Sequence, residues 1–229
     1  EMQAWVYDEN GWPSGFAGGK LLENEDYRAR YLEYAVGEFD KNAFVVFIDD
    51  IENGFVRVTE KTVKAEKYHN VYLRISPANT DILNPAVTEA FIKETHEKYY
   101  SRFKEYFGKE LVGFFTDEPQ YYRYATPYTP IAEEEFAKDG ECIEDGLIWL
   151  FVYDERGYSF REKYYKTLNK LYTENFYKKI YDWCGAHGCK LTGHSVEESS
   201  LFAQMWGGAA VMPSYEYEDI PGIDWLGRF

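Results

Sequence analysis

Short runs of apolar residues, each too short for a helix, recur along the chain and end in carboxylates. The clearest run extends from Leu111 to Phe115 and is followed by Asp117, Glu118 and Pro119. A run of this length without polar alternation is typical of a strand buried on both faces, as in a parallel sheet covered by helices. Because proline has no N–H to donate to a neighbouring strand, the predicted strand ends at Glu118.

The same pattern of a strand followed by acidic residues is found at three other places. The acids that follow these predicted strands are Asp8 and Glu9 after residues 4–7, Asp81 after residues 71–75, and Glu197 and Glu198 after residues 190–194. A further strand is predicted over residues 209–212. Since the carboxyl ends of parallel strands meet at one edge of a sheet, we expect these acids to cluster.

Helical spacing separates several of these strands. Asn84 and Pro85 mark the start of a predicted helix over residues 86–107. An aromatic or β-branched residue recurs every four positions along this helix, and Gly108 ends it. With the strands on either side, this helix is expected to form a βαβ unit.

Two more helices are predicted further along the chain. Ser159 and Glu162 match a capping box at the start of a long helix that ends at Gly185. A shorter helix is predicted over residues 198–206. Alternation of strands and helices indicates a parallel sheet.

A different pattern occupies residues 31–70. Two short apolar segments flank Asn53-Gly54, which is a strong signal for a hairpin turn between antiparallel strands. We therefore expect a small antiparallel β-hairpin insertion over residues 31–70, after which the chain returns to the main sheet.

These elements together predict an α/β fold of the (β/α)8 TIM-barrel type with the β insertion, in one domain spanning residues 1–229. A complete barrel of this kind typically needs roughly 250 residues. The chain has 229, enters a strand almost at once and stops without a closing element. We expect an incomplete barrel that belongs to a longer chain.

Composition narrows the range of partners. The net charge is −15, so phosphate backbones and anionic membranes are repelled, and neither nucleic acid nor a membrane is expected as a partner. No stretch approaches the length of an apolar membrane span. Aromatic residues make up 19% of the chain, including 22 Tyr and 6 Trp. Their flat apolar faces suit sugar rings, although most of them must fill helix–sheet interfaces.

Cysteine usage and the chain ends leave the compartment open. An odd number of cysteines, three, without regular spacing argues against a disulfide framework. No signal peptide is visible, but a piece of a longer chain would have lost one. Both a cytoplasmic and a secreted protein are therefore compatible with the sequence.

Clustered carboxylates with aromatic faces indicate glycoside hydrolysis, in which one carboxyl protonates the leaving oxygen and a second attacks the sugar or activates water. Glu118 is our candidate for the proton donor, because it is the last residue before the strand breaks, and Glu197 is its candidate partner. The predicted substrate-binding residues are Asp8, Glu9, Trp12, Asp81, Asp117, His194, Glu198 and Tyr215.

Five motifs resemble the barrel of large bacterial glycoside hydrolases similar to the α-L-rhamnosidases of family 106. These are residues 5–15 (WVYDENGWPSG), 81–85 (DILNP), 115–119 (FTDEP), 193–197 (GHSVE) and 220–224 (IPGID). The resemblance implies a (β/α)8 barrel with appended β-domains, inverting acid and base glutamates, and a place for Ca²⁺ near the sugar. It supports Glu118 as a catalytic carboxylate, and Asp8, Trp12, Asp117, His194 and Glu197 as pocket residues.

Three interpretations stay open at this point. The first is a glycosidase acting on plant or host glycans, inactive as an isolated fragment if its second carboxylate lies beyond Phe229, in which case Glu197 is a substrate or metal ligand. The second is a carbohydrate-binding barrel that has lost a catalytic carboxylate. The third is that the acids only terminate strands. The expected partners are a carbohydrate substrate and the remainder of the longer chain.

Overall fold

A computed structural model describes residues 2–50, 54–59, 65–121 and 125–224 of the chain. The strands of these residues are β1 Ala4–Tyr7, β2 Arg28–Gly37, β3 Val45–Asp50, β4 Gly54–Val58, β5 Tyr68–Thr80, β6 Leu111–Asp117, β7 Thr126–Tyr128, β8 Lys190–His194 and β9 Ile220–Pro221. The α-helices are α1 Pro85–Glu94, α2 His96–Phe103, α3 Pro130–Lys138, α4 Tyr158–Tyr172, α5 Lys179–Ala186 and α6 Leu201–Gln204. No helix in this part of the chain is both long and apolar enough to cross a bilayer.

One sheet is parallel and has the strand order β1-β6-β8-β9. Its register aligns Tyr7 with Phe115 and Asp117 with His194. The strands approach closely at Gly193, where a Cβ atom would lie 2.2 Å from the backbone oxygen of Thr116. The predicted strands 4–7, 111–116 and 190–194 are therefore confirmed, and their carboxyl ends share one edge.

The second sheet is antiparallel, is curled, and has the order β4-β3-β5-β2-β7. This sheet shows that the prediction of a (β/α)8 barrel is wrong. The predicted strand 71–75 lies within β5, which pairs with β2 and β3, so the predicted βαβ unit is also wrong. The parallel neighbour of β6 on that side is β1 instead.

The predicted hairpin is confirmed in its two strands, since β3 and β4 pair antiparallel with Asp50 opposite Gly54. Asn53, the other residue of the predicted turn, lies outside the described residues. The hairpin forms one side of the curled sheet, which also contains the long pairing of β2 with β5. The division of the chain into one domain with an insertion over residues 31–70 stays a prediction.

The helix predicted over residues 86–107 is interrupted. Its start is confirmed, because Asn84 caps α1 by accepting the N–H of Ala86 and Pro85 is the first helical residue. The interruption is at Thr95, whose ψ of −77° and hydroxyl bond to Phe91 O separate α1 from α2. A 3₁₀ turn over Lys104–Tyr106 follows α2, and Gly108 then adopts a left-handed φ of 72°.

The later helices also differ from the sequence prediction. Helix α4 begins at Tyr158 with no side-chain cap, so the predicted Ser159–Glu162 capping box is wrong, and a π-helical segment over Thr173–Lys178 joins α4 to α5. The helix predicted over residues 198–206 is reduced to α6. Residues 209–212, predicted as a strand, form bends and turns, and the strand that pairs with β8 on the side away from β6 is β9.

The two faces of the parallel sheet have different environments. On one face Phe114 is fully buried and packs against the rings of His96 and Trp183 beneath the helices. On the other face Trp5 and Tyr7 keep 37% and 43% of their surface exposed. The open face of the sheet therefore carries aromatic rings that reach up to the edge where the acids lie.

Candidate active site

Asp117 is the last residue of β6, and its carboxylate is shared by two side chains on the open face. His194 lies opposite it in the parallel register, and the imidazole Nε2 donates to Asp117 Oδ1 across 3.0 Å. The hydroxyl of Tyr7 donates to Asp117 Oδ2. Burial and the Asp117 carboxylate together raise the pKa of Tyr7, so this phenol stays protonated and acts as a donor. Asp117 is thus fixed between two donors.

Glu118 follows directly and leaves the strand in a left-handed backbone conformation, with φ 47°. This conformation costs a non-glycine residue roughly 1–3 kcal/mol, and such strain is concentrated at functional sites. Hydrogen bonds to two other segments of the chain help to hold the residue. Its N–H donates to His194 O at 3.1 Å, and the indole N–H of Trp12 donates to its Oε2 at 2.7 Å. The sequence prediction that Trp12 and Glu118 lie together in one site is consistent with this contact.

Asp224 is a member of the site that the sequence prediction missed. Carboxylate oxygens of Glu118 and Asp224 and a ring nitrogen of His194 all lie within 4.8 Å of one another. Glu198 helps to fix this geometry, because its Oε1 accepts the N–H of Ser195 and its Oε2 accepts the N–H of Asp224. The signal was present, since Asp224 follows β9, but β9 has only two residues and does not stand out as an apolar run.

The donor set of this group does not fit the Ca²⁺ that the rhamnosidase resemblance implied. Ca²⁺ takes six to eight oxygen ligands, whereas one of the three donors here is the imidazole nitrogen of His194. A mixed set of imidazole and carboxylate ligands suits zinc, manganese or iron better than calcium.

The segment that follows β1 carries Trp12 to the site and folds around Glu9. The Glu9 carboxylate is 8% exposed and accepts five backbone N–H groups within its own loop. The donors are Asn10, Gly15, Phe16, Ala17 and Gly18. The structure therefore places the Glu9 carboxylate inside the loop rather than on its surface.

Asp8 is buried beneath the site and is 1% exposed. Burial raises its pKa to about 8, while the hydrogen bond from Ser14 and the nearby Thr116 hydroxyl act in the opposite direction, and the nearby charges of Glu9 and Asp117 add to the increase. Its Oδ1 accepts the Ser14 hydroxyl at 2.6 Å. Asp8 thus lies behind Asp117, on the helix-covered side of the sheet.

The structure does not bring Asp81 and Glu197, two of the predicted site residues, into the Glu118–His194–Asp224 group. Asp81 follows β5 in the antiparallel sheet and accepts the Thr129 hydroxyl at 2.7 Å; burial raises its pKa to about 6. Glu197 is exposed, has a left-handed φ of 57°, and is not a member of the Glu118–His194–Asp224 group.

Tyr215 and Glu198 lie together at the far edge of the site, next to the approach to β9. The Tyr215 hydroxyl donates to Gly222 O at 3.3 Å. Burial raises the pKa of Tyr215 to about 12, and the nearby Glu198 carboxylate adds to this increase. Glu218, which the sequence prediction missed, is 6% exposed, and burial raises its pKa to about 7. This acid has no apolar run before it that would have indicated it.

A separate groove of about 770 Å³ runs between α4 and residues 205–217, and none of the predicted site residues lines it. Its charged residues include Lys166 and Lys170, which pair with Glu162 and Glu135. Clustered carboxylates beside an imidazole occur at the Asp117 edge of the parallel sheet and not in this groove.

No protein-family model matches the chain, and no curated protein sequence matches it. A solved structure, the rhamnosidase from Novosphingobium sp. PP1Y, is similar with a TM-score of 0.52 and 16% sequence identity over 73% of this chain. The match covers 17% of the rhamnosidase chain. At this identity the similarity shows a shared fold, and the function has to be argued from the site.

Proposed function

We propose that the protein is a glycoside hydrolase whose active site is centred on Glu118. The observation that carries the proposal is the pair of adjacent carboxylates Asp117 and Glu118 at the carboxyl end of a parallel strand, beside His194 and next to exposed aromatic rings. Glycoside hydrolysis needs positioned carboxyl groups, and aromatic faces stack well on sugar rings. The similarity to part of a rhamnosidase supports the same reaction class and makes an α-L-rhamnoside the first substrate to test.

In the proposed reaction Glu118 transfers a proton to or from the glycosidic oxygen. The indole N–H of Trp12 fixes the orientation of its carboxylate, and the Trp12 ring, 43% exposed, provides a face for the sugar. Asp117 and His194 form a hydrogen-bonded pair that is suited to binding sugar hydroxyls.

Two acids of the chain compete for the role of second carboxylate. Glu197 is proposed from the sequence, and Asp224 from its oxygen within 4.8 Å of Glu118. Inverting enzymes keep their carboxyl groups roughly 6.5–9.5 Å apart to admit a water molecule, and retaining enzymes about 5–5.5 Å. The 4.8 Å limit joins one oxygen of each acid and lies below the inverting range, so a Glu118–Asp224 pair favours retention, whereas the family resemblance implies inversion.

The test is turnover of 4-nitrophenyl α-L-rhamnopyranoside and a panel of other nitrophenyl glycosides by the full natural protein. Glu118→Gln should lower kcat by roughly 10²–10⁴-fold with little change in KM, since general acid catalysis contributes about that much. Glu105→Gln, an exposed position in the 3₁₀ turn after α2, is the matched control.

Glu197→Gln and Asp224→Asn are measured in parallel, and the acid whose variant loses as much kcat as Glu118→Gln is the second carboxylate. NMR of the first-formed sugar anomer gives the stereochemical outcome. Unchanged turnover in Glu118→Gln would remove this residue from the mechanism. Sugar binding by the wild-type protein without any turnover would instead support the carbohydrate-binding alternative.

A further inference from the structure

Ser14 connects the loop after β1 to the end of β6 by bonding both backbone polar groups of Asp117. Its N–H donates to Asp117 O at 2.8 Å, and its Oγ accepts the N–H of Asp117, also at 2.8 Å. The N–H of Asp8 donates to Phe115 O at 3.0 Å just before it. The loop therefore continues the pairing of β1 with β6 past the end of β1.

The Ser14 hydroxyl has a fixed orientation because its single hydrogen is already used. It donates to Asp8 Oδ1 at 2.6 Å, and both side chains are at least 98% buried. With that hydrogen directed at Asp8, a lone pair of Oγ faces the N–H of Asp117. The result is a buried chain of hydrogen bonds from the Asp117 backbone through Ser14 to Asp8.

We propose that Ser14, with Asp8 behind it, is a positioning residue that fixes the Asp117 backbone and thereby holds the Asp117 carboxylate between Tyr7 and His194. Ser14 touches no reacting atom and acts through Asp117. The importance of this geometry for catalysis rests on the proposed function, but the geometry itself can be tested without a substrate.

The decisive comparison is between Ser14→Ala and Thr80→Val. Thr80 is 4% exposed, and its hydroxyl donates to Gly15 O at 2.9 Å, so it holds the same loop at the neighbouring residue without contacting Asp117. Both substitutions remove a buried hydroxyl from the loop, and a merely structural role for Ser14 predicts that both act alike.

The substrate-free readout is the side-chain ¹⁵N and ¹H NMR signal of His194 at fixed pH. The chain has four histidines, so the signal is assignable with a His194→Gln variant. We expect Ser14→Ala to shift the His194 Nε2 resonance, Thr80→Val to leave it in place, and Ser14→Thr to restore it. If Ser14→Ala does not fold, Ser14→Cys, whose sulfur is somewhat larger and makes weaker hydrogen bonds, should give a smaller shift of the same sign.

An unshifted His194 signal in every folded Ser14 variant, or an equal shift in Thr80→Val, would overturn the proposal. Turnover of the nitrophenyl glycoside gives a second readout, for which we expect about a tenfold lower kcat in Ser14→Ala with KM nearly unchanged. Absence of turnover in the wild-type protein would count against the proposed hydrolase function alone, because the NMR comparison would still confirm or reject the role of Ser14.

Discussion

Replacing Asp8 by Asn tests the buried carboxyl beneath the site through the pH dependence of stability. Burial raises the pKa of Asp8 from the ordinary 3.8 to about 8. A carboxyl with a raised pKa in the folded state stabilises the fold fully below the unfolded pKa, and this contribution is lost as the pH rises through the folded pKa. Between these two values the unfolded chain has released a proton that the folded protein still holds.

In this window the free energy of unfolding should fall by about 1.4 kcal/mol per pH unit on account of Asp8. Over the roughly four units between the two pKa values the total would be about 6 kcal/mol, and relaxation of the buried site makes this an upper figure. Asn stays neutral at every pH and keeps an oxygen that can accept the Ser14 hydroxyl. The variant should therefore lose none of this stability on raising the pH.

Urea unfolding at half-unit steps from pH 4.5 to pH 8.5 gives the measurement for both proteins. We expect the difference in unfolding free energy to move in favour of Asp8→Asn as the pH rises, and to level off above about pH 8. Asp26→Asn, at an exposed position, controls for the removal of one carboxyl. Parallel curves for the wild-type protein and Asp8→Asn would refute the reasoning.

Two further predictions concern stability. His96 is fully buried, and burial lowers its pKa from 6.5 to about 3, so its contribution to the free energy of unfolding is present above pH 6.5. This contribution is lost by about 1.4 kcal/mol per unit as the pH falls towards 3. Urea unfolding of His96→Phe should lack this part of the acid dependence, and a slope identical to that of the wild-type protein would contradict the prediction. Gly193→Ala should lower the free energy of unfolding by about 2–3 kcal/mol, because the new Cβ meets the Thr116 backbone oxygen at 2.2 Å. In Gly185→Ala, within α5, the new Cβ meets nothing within 4 Å, and the free energy of unfolding should rise by roughly 0.5–1 kcal/mol. Equal effects of the two substitutions in urea unfolding would reject this account.

The strands of the parallel sheet could be predicted because they are local features. An apolar run that ends in acids and a proline needs no tertiary information, and Asp117 and Glu118 were identified in this way. The start of α1 is equally local, since Asn84 caps the helix and Pro85 begins it. Predictions of this kind depend only on a few neighbouring residues.

The sheet arrangement could not be predicted from apolar runs alone. The segment around Val71 was interpreted as a buried parallel strand, yet only Val71 is fully buried there, and Ile75 is 40% exposed next to exposed Arg74. This falling burial is typical of an antiparallel strand with a solvated face. The sequence of this segment shows only a weak alternation of apolar and polar residues. Its antiparallel pairing with β2, which is a tertiary contact, places the segment in the second sheet.

Only part of the site was predicted, and the contacts between its residues were not. His194 and Asp117 were both named, but their contact depends on the register between β8 and β6. Ser14 looked like an ordinary loop residue, because its role depends on a backbone group more than one hundred positions away. Asp224 was noted only as part of the 220–224 motif and not as a site residue, because the two-residue strand before it does not stand out as an apolar run.

The backbone hydrogen bonds around the Glu9 carboxylate affect which substitutions the loop after β1 can accept. Because one side chain satisfies five amides of its loop, the path of that loop depends little on what its tip contacts. The tip, with Trp12 at its end, can therefore accept substitutions that alter ligand preference while the surrounding backbone stays in place. Substitutions at positions 11 and 13 that keep Trp12, and with it the contact to Glu118, are therefore natural ones with which to engineer or diversify specificity.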